Sequence, residues 1–164
     1  MFGSAADGKA EIMGHWESAA RHPDGEAIRV DLMRSREFPY PYSMPGLLAC
    51  EAAQVQGGMA AHWNMFDRVQ HAHAVEAINI ADPAVLKACA ADIGLDTVRW
   101  EADFQSSTVK RAVEVDFNEA NQLGVNAVPT LIFNHQWALP GAVPEAALRQ
   151  VTENLLAGRD PSAP

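Results

Sequence analysis

The stretch Gly124-Val-Asn-Ala-Val-Pro-Thr-Leu-Ile-Phe-Asn-His-Gln-Trp-Ala-Leu-Pro-Gly141 decides the fold. Gly124 closes an apolar helical pattern, Val128-Pro129 makes a constrained loop, and Thr130 to Phe133 is a short run of residues that favour strands. A return strand is expected at about Gln136 to Leu139, across the two-residue connection Asn134-His135, where Asn tolerates left-handed backbone. A proline opening a strand out of a tight loop is the usual setting for a cis X-Pro bond, so the Val128-Pro129 peptide is expected to be cis. Pro140-Gly141 breaks the second strand. Pro144 then starts a last helix carrying Ala147, Leu148, Val151, Leu155 and Leu156 to a stop at Gly158, with a disordered tail expected to Pro164.

Upstream, apolar residues recur mostly at helical spacing. Lys9 to His22 places Ile12, Met13, Trp16, Ala19 and Ala20 on one side of a first helix, after a frayed start over residues 1–8. The turn His22-Pro23-Asp24-Gly25 ends it. Ile28, Val30 and Leu32 then alternate with Arg29, Asp31 and Met33, the two-residue period of a strand. Phe38 to Pro45, with prolines at 39, 41 and 45, stays extended or turning. Ser43 is expected to cap a long helix through Leu47, Cys50, Ala53, Met59, Trp63 and Phe66, with a bend at Gly57-Gly58. Asp82-Pro83 and Asp96 open two further helices, and Ser106 or Ser107 a third that runs to Gly124.

A chain of 164 residues that is 48% hydrophobic and 20% charged is one domain's worth, with apolar mass enough for a core. Its net charge of -9 argues against nucleic acid and anionic membrane surfaces as partners. Charged residues interrupt every apolar run before it reaches the length of a membrane span. The first residues lack the basic and then apolar order of a signal peptide, so the expected compartment is cytoplasmic. Cys50 and Cys89 belong to no Cys-x-x-Cys pair and read as small buried thiols in a reducing compartment. Spacing alone leaves a disulfide between them open.

The Val-Pro-Thr loop and hairpin, the following Leu139-Pro140-Gly141-Ala142, the Tyr42-Ser43 entry to the long helix, Asn79-Ile80-Ala81-Asp82 and the break Gly94-Leu95-Asp96 together resemble the DsbA-like branch of the thioredoxin fold, including FrnE-type thiol oxidoreductases. The resemblance covers roughly residues 9–157. It implies an α/β, thioredoxin-like (DsbA-type) single domain over 1–164, with an all-helical subdomain inserted at approximately 43–123. It also implies that Val128 and Pro129 form the substrate-binding loop, which offers backbone groups to an extended substrate. In that family a first β-strand delivers a Cys-x-x-Cys, or a Cys or Ser variant, to the start of the first helix, where the helix dipole favours thiolate. Here Gly3 to Gly8 hold neither a β-like run nor a cysteine. A sheet built from the strand at Ile28 to Met33 and the strand at Thr130 to Phe133 would therefore carry a gap one strand wide, with rows of unpaired backbone groups. The expectation is a truncated chain or a misassigned start, the alternatives being a gap filled by residues 1–8 or another chain, or a sheet closed differently.

Three function classes stay open: thiol-disulfide exchange of DsbA or FrnE type, a glutathione-linked enzyme similar to kappa-class transferases and hydroxychromene-carboxylate isomerases, and a non-catalytic binding or dimerisation domain. Whether the chain is an enzyme stays open with them, and no catalytic residue is assigned. Ser4 is the hydroxyl that the glutathione-linked class would use. Partners expected from the resemblance are a thiol- or disulfide-bearing protein or a small-molecule thiol. A free strand edge adds homodimer formation. No cofactor is expected outside the glutathione alternative. The histidines His62, His71 and His73 lack the thiol or carboxylate neighbours of a known metal pattern. The pairs Glu101 and Asp103, and Glu114 and Asp116, read as solvated helix faces, and Trp16, Trp63, Trp100 and Trp137 as core or groove walls.

Overall fold

The computed structural model describes residues 5–22, 25 and 27–162. Among the described residues, seven α-helices and two strands follow in the order α1 (Ala5–Ala20), α2 (Val30–Ser35), α3 (Met44–Ala74), α4 (Pro83–Asp92), α5 (Thr97–Gln105), α6 (Ser107–Gln122), β1 (Thr130–Phe133), β2 (Trp137–Pro140) and α7 (Glu145–Leu156). The chain divides into two compact units, residues 1–113 and 114–164.

In the first unit, α3 is the organising element. Its helix is interrupted at Gly58, whose φ of 67° and ψ of -163° lie in a region that side-chain-bearing residues avoid. The chain reverses there rather than merely bending. Gly46 lies against Val69, with 3.5 Å between Val69 Cγ1 and the position a Cβ would take, and His62 Nδ1 stands 3.3 Å from Glu51 Oε1. The two arms, 44–57 and 59–74, therefore pack as an antiparallel hairpin. Alanines at 49, 52, 53, 61 and 72 line its buried seam, and their small side chains let the backbones approach. Leu86, Cys89 and Ala90 of α4, Trp100 of α5 and Val109 of α6 complete this core. Trp100 also donates its indole N–H to the Ala49 carbonyl at 3.2 Å and stacks on Phe104, so its polar atom is not left unpaired.

Local chemistry sets most helix boundaries. Asp82 accepts from the Ala84 amide at 2.8 Å, Asp96 from those of Val98 and Arg99 at 2.9 and 3.1 Å, and Ser106 from that of Val109 at 3.1 Å. Ser43 departs from expectation: its backbone is already in the helical region and its hydroxyl makes no capping bond.

The strand expected at Ile28 to Met33 is instead α2. A strand needs a neighbour to take its amides and carbonyls, whereas a helical turn bonds part of its backbone internally, and no strand is paired with this segment among the described residues. The helix is short but held from both ends. The Arg29 amide donates to Ala74 O at 2.8 Å, and the Arg36 guanidinium donates to the carbonyls of Ala77 and Glu76 at 2.9 and 3.1 Å. Met33 then packs with Met13 and Ala77 into a second core cluster, flanked by Ile12, Trp16, Leu32, Phe38 and Tyr40. Gly25 enters the preceding turn because a Cβ there would fall 2.1 Å from the Ala19 carbonyl oxygen. Pro23 and Asp24 of that turn lie outside the described residues.

In the second unit, β1 and β2 form an antiparallel two-stranded sheet with Thr130 opposite Pro140 and Phe133 opposite Trp137. The connection is Asn134-His135-Gln136, one residue longer than expected. Asn134 and His135 both have positive φ, and the Gln136 amide returns to Phe133 O at 3.0 Å. Pro140 closes the strand rather than breaking it, and the Gly141 amide donates to Pro129 O at 2.7 Å. After α7 the chain turns at Gly158 and folds back. The Arg159 guanidinium donates to Asn154 Oδ1 at 2.8 and 3.0 Å, and Pro161 is buried, so the segment through Ser162 is placed by packing rather than left as a loose tail.

Candidate functional site

Val128 and Pro129 stand on an exposed loop ahead of β1, and the peptide between them is cis. Val128 is 90% exposed, and its backbone enters no hydrogen bond among the described residues. The loop is held from both sides of this pair: Thr130 Oγ1 donates to Ala127 O at 2.7 Å, and Pro129 O takes the Gly141 amide. Thr130 thus serves the loop's geometry. The result is a fixed turn that presents an unspent N–H and C=O to solvent, a form suited to pairing with an extended chain.

Both cysteines are free thiols and buried. Burial, and then the carboxylate of Glu51, pushes Cys50 up to about 12. Burial also raises Cys89, against the opposing pull of the Arg68 guanidinium. A thiol needs to ionise and be reached in order to attack a disulfide, and these two do neither readily. Ser4 lies outside the described residues.

The other residues singled out from sequence take structural positions. Glu101 pairs with Lys87 at 2.6 Å, and Asp103 faces Arg99 at 3.8 Å. His71 faces Glu76 at 3.5 Å, within a cluster in which Arg68 also ties Glu76 and Asp92. No group of three or more metal-ligating side chains converges among the described residues. Of the tryptophans, Trp100 is core, while Trp63 and Trp137 are about half exposed.

His73 has a different role from its neighbours in sequence. It closes an aromatic corner with Trp16 and Tyr40, the three rings meeting edge to face at centroid separations of 5.0 to 6.1 Å. The Trp16 indole can only donate and does so to the Tyr40 oxygen at 3.1 Å. The Tyr40 hydroxyl and His73 Nε2 share a further hydrogen bond at 2.9 Å. Burial lowers the His73 pKa, opposed in part by the backbone at Ile78, and burial raises that of Tyr40. Both side chains are therefore neutral near pH 7. They form one wall of a cleft of about 640 Å³ in the first unit, which also takes in Lys9, Ile12, Ser43 and Gln70. Sequence reasoning missed this cleft. The sequence reading of Phe38 to Pro45 was confined to an extended or turning backbone, which says nothing of what the segment faces.

The family model described as Thioredoxin matches residues 10–139. The chain belongs to the thioredoxin family. Its DsbA-like character appears in a helical region placed ahead of the loop and hairpin, and in the solved structures it resembles. This thioredoxin-fold chain superposes on a Nitrosomonas europaea protein, provisionally assigned as a protein disulfide isomerase, with a TM-score of 0.77 at 22% identity, over 93% of this chain and 75% of that one. It matches the cytosolic disulfide reductase DsbM of Pseudomonas aeruginosa with a TM-score of 0.65 at 25% identity, over 80% and 66% of the two chains. By sequence it is 32% identical over 132 residues to the ClpXP adapter protein SpxH of Shouchella clausii, covering 77% of this chain and 42% of that protein. The SpxH of Bacillus cereus is 28% identical over 107 residues, 65% and 34% of the two. The thioredoxin-fold chain thus spans less than half the length of the curated relatives it matches. No helix among its described residues is long and apolar enough to cross a membrane.

Proposed function

We propose that this is a thioredoxin-fold domain of the thiol-disulfide oxidoreductase kind, DsbA- or FrnE-like in character and cytoplasmic, that recognises thiol- or disulfide-bearing partners through Val128 and Pro129. The observation that carries the reading is the loop itself. A fixed turn ahead of an edge strand, with the Val128 amide and carbonyl unspent, fits an extended segment laid antiparallel to it. Family membership over residues 10–139 supports the same placement within one DsbA-like domain with a helical insertion at approximately 43–123. DsbM, a cytosolic disulfide reductase also solved with GSH, supports a small-molecule thiol such as glutathione as one such partner.

Disulfide exchange requires a thiolate that attacks one sulfur of a disulfide, forming a new S–S bond while the other sulfur leaves as thiolate. Cys50 and Cys89 do not supply that attack, and this favours a second reading in which the domain binds without turning over. The adapter role named for SpxH fits that reading, as does homodimer formation through the free strand edges.

A titration followed by amide NMR tests the loop. A short extended peptide carrying a mixed disulfide should shift the amides of Ala127, Val128 and Thr130, and Val128→Pro, which removes the free N–H, should weaken it by about three- to tenfold. Absence of any saturable shift at this loop removes the proposal. Insulin reduction with dithiothreitol then separates the two readings, because turnover above the dithiothreitol background that is lost in Cys50→Ala with Cys89→Ala rules out the binding-only one. Retention on a glutathione matrix tests glutathione as the small-molecule partner.

A further inference from the structure

We propose that the cleft bounded by the start of α1, the 39–43 segment and the end of α3 binds a small monocarboxylate with an apolar body. Its volume, about 640 Å³, is in the range of small-molecule sites. The sign of the ligand follows from the lining. In a chain of net charge -9, the described residues around this cleft include Lys9 and no carboxylate. Lys9 has no acidic partner among the described residues. Two of its three N–H groups go to the carbonyls of Arg36 and Phe38, and the ammonium also lies over the Phe38 ring, 5.7 Å from its centroid, contacts that hold the cation in place without neutralising its charge.

The remaining donors point the same way. Ser43 lies at the cleft and its hydroxyl does not cap α3, while the Gln70 side chain, at the cleft on α3, makes no hydrogen bond to another described residue. The other ionisable side chains of the wall, Tyr40, Tyr42 and His73, add no second cation, since burial keeps His73 neutral. One fixed cation matched by neutral donors suits one negative charge and not a phosphate ester carrying two. Ile12, Val69 and Ile80 supply the apolar wall against which a short hydrocarbon or ring would lie. This site uses no residue of the Val128 loop, so it stands or falls independently of the thiol reading.

The test uses the full 164-residue chain with hexanoate and its uncharged counterpart hexanamide, followed by NMR. The reporter is the Trp16 indole N–H, which is hydrogen-bonded to Tyr40 on the cleft wall. Hexanoate should give a saturable shift and bind about tenfold more tightly than hexanamide, the worth of one charge-assisted hydrogen bond. Lys9→Gln should bring hexanoate down to the level of hexanamide, and Lys9→Arg should keep the gap. Equal affinity for the two compounds, or no saturable shift at Trp16, overturns the proposal. Because that comparison is made on the unmodified chain, it decides the matter even where a Lys9 variant fails to fold.

Discussion

Cys50 shows how one burial decision fixes a residue's chemistry. Its place in the α3 seam raises the thiol to about 12, Glu51 adding to the effect, so thiolate is scarce at neutral pH. Iodoacetamide at pH 7.5 should therefore leave Cys50 and Cys89 unmodified in the folded chain and label both in strong denaturant, read by intact mass; labelling of native protein within minutes would contradict the burial. The same shift has a pH signature. A thiol held above its unfolded value, near 9, contributes stability that is complete below that value and is lost as pH rises towards 12. His73 works in the opposite direction. Its folded pKa lies below 6.5, so the unfolded chain takes up the proton first, and stability falls as pH drops below about 6.5 towards the folded value. Urea midpoints between pH 7 and 5 should decline more steeply for the wild type than for His73→Gln, and parallel slopes would remove His73 from the account.

At the scale of elements, what could be read from sequence was what is settled within three or four residues. The caps at Asp82, Asp96 and Ser106 were legible because each side chain bonds an amide two or three positions ahead. The β1–β2 pairing was legible because a short loop leaves few registers, although the third loop residue, Gln136, was not anticipated. The 28–33 segment was misread because alternation states which face is buried, not whether a partner strand is present. The 640 Å³ cleft was invisible because it joins Lys9, Tyr40 and His73, which only the folding of α1, α2 and α3 brings together. Gly57-Gly58 was read as a bend, and the outcome was a full reversal. That reversal makes a prediction. No heavy atom lies within 4 Å of where a Gly58 Cβ would stand, so the cost of Gly58→Ala is conformational and not steric. It should lower stability by about 1–3 kcal/mol in urea titrations with an unchanged slope. A neutral result would mean that the two arms do not depend on this backbone state.

For the whole molecule, the distribution of buried apolar surface is uneven. Every buried hydrophobic side chain in the two core clusters, from Met13 to Val109, lies in the first unit. In residues 114–164 the described fully buried residues are Asn154 and Pro161; apolar side chains such as Phe133, Leu139 and Val151 are half-buried, and polar ties such as Arg159 to Asn154 and Arg149 to Glu145 at 2.7 Å add to them. Exposed ion pairs of the second kind contribute little, and a two-stranded hairpin is marginal by itself. Local opening follows the density of buried apolar contact, so protection should follow the same division. In hydrogen exchange followed by mass spectrometry, peptides from α3, α4 and α5 should exchange last. Those from β1, β2 and α7 should exchange at least about tenfold faster, a gap equivalent to about 1.4 kcal/mol of opening free energy. The loop proposed to meet a partner lies in the faster region. A bound disulfide peptide should therefore slow exchange most at residues 127–133 and leave α4 unchanged. Uniform protection across both units would show that the second is stabilised by contacts other than its own.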